Sequence, residues 1–78
     1  MSTRAKNEGW FPDWVELSEG GRLYRREIAG RSGGSAKYFK QVDADEKTVR
    51  FWQEIYDQHS RLIEGHEKYP VDLGHQKL

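Results

Sequence analysis

The sequence predicts an α+β fold: a three-stranded antiparallel β-meander packed against one long C-terminal amphipathic helix, in the order β-β-β-α. Three observations predict it. On a wheel at about 100° per residue, Val49, Phe51, Trp52, Ile55, Tyr56, His59, Leu62 and Ile63 fall on one side. Arg50, Gln53, Glu54, Asp57, Gln58, Ser60, Arg61 and Glu64 fall on the other. Three short runs of β-branched and aromatic residues precede this stretch, separated by glycine-rich turn signals. A three-stranded sheet is unstable with both faces bare, and the helix supplies the cover.

Taken in order, Met1 to Gly9 reads as a flexible leader. Trp10-Phe11-Pro12-Asp13-Trp14 is an aromatic knot, expected to plug one end of the core or to anchor a partner. Trp14 to Leu17 is the first strand, and Ser18-Glu19-Gly20-Gly21 a turn. Arg22 to Ala29 is the second strand, Gly30 to Ser35 a hairpin loop, and Ala36 to Val42 the third strand. The helix is placed at about 44–64. Asp43 serves as N-cap, Glu46 as the reciprocal member of a capping box, and Gly65 as the left-handed residue past the end. A single domain then covers 10–73, and 74–78 is a loose tail. Both X-Pro bonds, at Pro12 and Pro70, are expected trans. No internal repeat is read.

Side-chain alternation places Tyr24, Ile28, Tyr38 and Val42 under the helix. Leu23, Arg25, Glu27, Lys37, Phe39 and Gln41 form the open face. A one-residue slip would exchange the two sets. Phe39 on the open face is either a sign of the opposite parity or an aromatic that meets a ligand.

The chain has 78 residues and no cysteine, so no disulfide or thiolate chemistry is available. At this length about 60% of the unfolded surface is buried on folding. No run approaches the ~20 apolar residues of a membrane span, and Met1 to Glu8 lacks the apolar core of a signal peptide. A cytoplasmic location without membrane contact is therefore expected. The net charge is +0 at neutral pH, but it is segregated. Arg22, Arg25, Arg26, Arg31, Lys37 and Lys40 stand in residues 22–40 against Glu27 alone. Residues 43–64 carry an acidic excess. Such segregation bears on partners more than the total does.

Cations spaced along twisted strands can track phosphates, and a sheet can enter a DNA groove. Gly21-Arg22-Leu23-Tyr24-Arg25-Arg26, Lys37-Tyr38-Phe39-Lys40 and the helix opening Asp43-Ala44-Asp45-Glu46 resemble, in arrangement, small DNA-binding domains of the AP2/integrase-arm type. The resemblance covers roughly residues 14–65. It implies nucleic-acid contact through Arg25 and Lys37, joined by Arg22 and Arg31. The acidic helix and a sequence pI of 6.8 depart from that pattern.

Two other classes stay open. One is a protein-interaction or regulatory module that docks on a larger protein or self-associates, since the chain holds three Trp, four Tyr and three Phe. The other is a small ribonuclease or toxin-like domain, with Glu27, Arg25 and Lys37 as half of an acid–base site and His66 or His75 completing it. The glycine-rich loop lacks the spacing of a phosphate cradle. No compact histidine–carboxylate cluster is present, so neither a metal nor a cofactor is expected. The leading expectation is a non-enzymatic binding domain whose partner is nucleic acid or a protein, with the oligomeric state open.

Overall fold

The structure, a computed structural model, describes residues 3–71 and 74–77; the side chains of residues 31 and 75–77 lie outside the description. It is an antiparallel sheet with one short N-terminal helix, not three strands under a C-terminal helix. Helix α1 spans Thr3–Trp10. The strands are β1 (Asp13–Glu16), β2 (Arg22–Ala29), β3 (Ser35–Val42), β4 (Thr48–Tyr56), β5 (Leu62–Tyr69) and β6 (Gly74–Lys77). They lie side by side in sequence order as a six-stranded meander.

The predicted helix over 44–64 is therefore corrected: it is a turn, β4, a second turn and the start of β5. Its residue types explain why. Thr48-Val49-Arg50-Phe51-Trp52-Gln53-Glu54-Ile55-Tyr56 is rich in β-branched and aromatic side chains that suit a pleated, half-buried surface. Asp43 and Asp57, read as cap and surface residue, each close a tight turn instead. Asp43 Oδ1 accepts the backbone N–H of Asp45 and of Lys47. Asp57 Oδ1 does the same for His59 and Arg61. The Arg61 and His59 amides hold the Asp57 carboxyl below its ordinary range. Gly65 is not a helix terminus but lies inside β5 opposite Glu54. The leader carries α1, and the tail as far as Lys77 carries β6; Met1, Ser2 and Leu78 lie outside the described residues, as does Leu73. The Tyr69–Pro70 bond is cis.

A structural repeat also emerges that residue identities conceal. In four hairpins the first turn residue donates its N–H to a carbonyl four residues on: Leu17 to Gly21, Gly30 to Gly34, Asp43 to Lys47 and Asp57 to Arg61, at 2.7–2.9 Å. Turns at the same end of the sheet stack on one another. A Cβ at Gly20 would lie 3.1 Å from the Cβ of Ala44, and one at Gly33 would lie 3.2 Å from that of Gln58. Both glycines also have positive φ, of 86° and 81°.

Helix α1 covers one face of the sheet near the 17–21 and 43–47 turns. The core there is small: Phe11, Tyr24 and Val42 are buried, with Trp14, Tyr38 and Phe51 packed around them. Of the aromatic knot, Phe11 is the plug, while Trp10 stays 43% exposed. A polar network fastens α1 to the sheet. The Glu46 carboxylate is buried in it and accepts from Tyr24 OH at 2.6 Å, Asn7 Nδ2 at 3.0 Å and Arg4 Nε at 3.1 Å. Lys40 Nζ donates to Asn7 Oδ1 at 2.9 Å.

Candidate interaction surface

Pairing fixes which residues share a face. Tyr24 lies opposite Trp14 and Lys40, and Lys40 opposite Phe51, so these line the helix-covered face. Arg25 lies opposite Asp13 and Phe39, and Phe39 opposite Trp52. The parity read from the strands agrees with this. Leu23, Arg25, Glu27, Lys37, Phe39 and Gln41 do share the face that α1 leaves open. β4 adds Arg50, Trp52, Glu54 and Tyr56 to it, and β5 adds Glu67 opposite Trp52.

The centre of this face is aromatic. Phe39 and Trp52 stack with centroids 5.0 Å apart and planes 12° from parallel. The Arg50 guanidinium sits 4.0 Å from the Trp52 centroid. Lys37 Nζ lies 4.7 Å from the Tyr56 ring. Glu54 ties the row together by accepting from Trp52 Nε1 at 3.1 Å and from Tyr56 OH at 2.7 Å. That hydrogen bond, with partial burial, raises the Tyr56 pKa.

The cations of the face are matched by acids. Arg25 Nη2 donates to Asp13 Oδ2 at 2.5 Å. Arg50 holds Glu67 through Nε at 2.8 and 3.0 Å, with Nη2 at 2.7 Å, and this contact raises its pKa. Lys37 stands between Glu27 on β2 and Glu54 on β4 in the register. Three cations, Arg25, Lys37 and Arg50, thus share the face with four carboxylates, of which Asp13 pairs with Arg25 and Glu67 with Arg50, while Lys37 lies over Tyr56.

The four candidate nucleic-acid contacts are not brought together. Arg25 and Lys37 share the open face. Arg22 is on the other face, 5.1 Å from the Trp14 ring and 5.9 Å from that of Tyr24. Its guanidinium reaches Glu8 at 2.7 Å and Glu16 at 2.8 Å, and the Glu8 hydrogen bond above all raises its pKa. Arg31 lies in the 30–34 turn, with its side chain outside the description. The acid–base alternative is also divided. His66 pairs with Gln53, whose Nε2 donates to Tyr38 OH on the helix-covered face, while Glu27 is on the open one. The side chain of His75 lies outside the description. Among the described residues no group of three or more His, Cys, Asp or Glu is placed to hold a metal ion. No helix among them is long and apolar enough to cross a membrane.

The helical reading set Trp52 and Tyr56 on the apolar side of a helix, Arg50 on its polar side and Glu67 past its end, so the row they form was missed. The signal that finds them is the alternation Arg50, Trp52, Glu54, Tyr56. As a helix it splits, Arg50 and Glu54 on one side and Trp52 and Tyr56 on the other; as a strand it is one row of cation, aromatic, acid and aromatic.

Comparison with family models, with curated proteins and with solved structures gives no match.

Proposed function

We propose that the domain is a protein-interaction module that engages its partner through the open face around Phe39 and Trp52. The observation that carries this reading is the pairing of charge on that face. Affinity for a nucleic acid rests on cations free to displace counterions from phosphates. Here Arg25 and Arg50 are engaged by carboxylates, and acids equal or exceed cations across the face. Stacking of unpaired bases needs free aromatic faces. Phe39 and Trp52 each turn one ring face to the other, and Arg50 lies over the Trp52 ring. What is left is an aromatic centre rimmed by charges of both signs, the make-up of a protein-binding patch.

A peptide-display selection against the intact domain tests this. The enriched peptides are expected to lose at least about tenfold in affinity, roughly 1.4 kcal/mol, for Trp52→Ser, with the fold retained by circular dichroism. Peptides that bind Trp52→Ser and Phe39→Ser as tightly as the wild type would contradict the reading.

A further inference from the structure

The sheet has a vacancy in its first strand position. β2 runs from Arg22 to Ala29, but β1 pairs only with Arg22–Arg25. Pro12 precedes β1 and has no N–H to extend the ladder, and the chain before it turns away into α1. Residues 26–29 of β2 therefore have β3 on one side and, among the described residues, no strand on the other.

Antiparallel alternation says which backbone groups are left over. Gly30 donates to Gly34 across the β2–β3 hairpin. Counting back in steps of two, Ile28 and Arg26 also direct their amides and carbonyls to β3. Glu27 and Ala29 direct theirs outward, and no strand among the described residues pairs with them there. Unpaired edge groups of this kind are the template for strand addition.

The surroundings suit a particular occupant. Beside the vacant line is a cleft of about 360 Å³ whose walls include Pro12, Asp13, Arg26, Glu27, Lys37 and Phe39. It joins the vacancy to the open face. Arg25 is held by Asp13 and Lys37 lies over Tyr56, whereas the exposed Glu27 carboxylate makes no ion pair among the described residues. On the opposite face Ile28 is 41% exposed. A strand laid beside 26–29 would place one side chain toward Glu27 and its two neighbours toward the Ile28 side.

Resting on the protein-interaction reading, we infer that the partner binds by adding an extended segment to β2 at Glu27 and Ala29, with a lysine or arginine facing Glu27 and apolar residues on either side of it. Main-chain hydrogen bonds supply the docking, and Glu27 supplies selectivity.

The test uses the intact domain and two capped heptapeptides, one alternating valine with lysine, the other valine with glutamate. The lysine peptide is expected to bind about tenfold tighter and to slow hydrogen exchange at the Glu27 and Ala29 amides. Glu27→Lys should reverse the preference between the peptides. Ala29→Pro removes an outward donor and leaves the β3 ladder intact, as proline is tolerated on a strand edge; it should weaken binding without shifting the melting midpoint. Absence of binding by either peptide, equal affinity for both, or binding without protection at Glu27 and Ala29 overturns the inference. Protection that rises with protein concentration in the absence of peptide also overturns it, and assigns the edge to a second copy. If these outcomes occur while displayed peptides still depend on Trp52, the interaction module stands and only its strand-addition mode fails.

Discussion

Tyr24→Ala is expected to remove about 3–5 kcal/mol of folding stability, the usual cost of deleting a buried aromatic side chain. Tyr24 has no exposed surface. Its ring centroid lies 5.5 Å from that of Phe11 and 5.8 Å from that of Trp14, so it joins the residue that follows α1 to β1 and β2. Among the described residues the buried hydrophobic core is Phe11, Tyr24 and Val42, so Tyr24 is a large share of it. A domain of this size has about 5–15 kcal/mol to lose at most, so the variant should be largely unfolded at 37 °C. Tyr24→Phe separates packing from hydrogen bonding. It keeps the ring and takes one donor from the buried Glu46 carboxylate, and should cost about 1–3 kcal/mol in urea unfolding. Equal midpoints for Tyr24→Phe and the wild type would contradict the buried network.

The second large effect is a loss of stability in acid that depends on Glu46. Burial works against ionisation of this carboxyl, but the hydrogen bonds from Tyr24, Asn7 and Arg4 outweigh it and hold its folded pKa below the ordinary carboxylate range. A group with a depressed folded pKa adds stability above its unfolded pKa, and that stability is lost as pH falls through the folded value. The wild type should therefore hold its melting temperature down to about pH 5 and lose it progressively below. Glu46→Gln should start about 1–3 kcal/mol less stable at neutral pH and show a shallower acid slope. The slope should not vanish, because Asp57 is shifted in the same direction. Parallel curves for the two proteins would place the acid sensitivity elsewhere.

The face of β2 and β3 was only half legible in the sequence and the fold was not, for physical reasons. Tyr24, Ile28, Tyr38 and Val42 set one parity, but Leu23 beside Tyr24 and Phe39 beside Tyr38 blur it, so the open side of Arg25, Lys37 and Phe39 needed the strand pairing to settle. In 43–65 the pattern is ambiguous. Trp52 and Tyr56 face the open side while Phe51 and Ile55 face the other, so adjacent apolar residues accumulate into an arc that fits a helix. A strand with apolar side chains on both faces has no clean period of two. Three local clues opposed the helix: the β-rich composition of 48–56, an aspartate opening each turn, and a glycine in the middle of 62–69. Glu46 misled in a different way. Its spacing from Asp43 matches a capping box, yet it adopts φ of 66° in a tight turn and inserts its carboxylate beneath α1. α1 itself, Thr-Arg-Ala-Lys-Asn-Glu-Gly-Trp, carries little apolar content. What holds it is the side-chain network to Glu46, Arg22 and Lys40, and such long-range partners leave no local signal.

Whether the open-face cations, Arg25 and Arg50 paired with acids and Lys37 held over Tyr56, leave any charge for phosphates is read by fluorescence anisotropy. Labelled duplex DNA, single-stranded DNA and RNA would be titrated at low and at physiological salt. No binding that falls steeply with salt is expected, and none that depends on Arg25 and Lys37. Binding whose log affinity drops linearly with log salt, and that is abolished by Arg25→Ala with Lys37→Ala, would contradict it and return the face to nucleic acid.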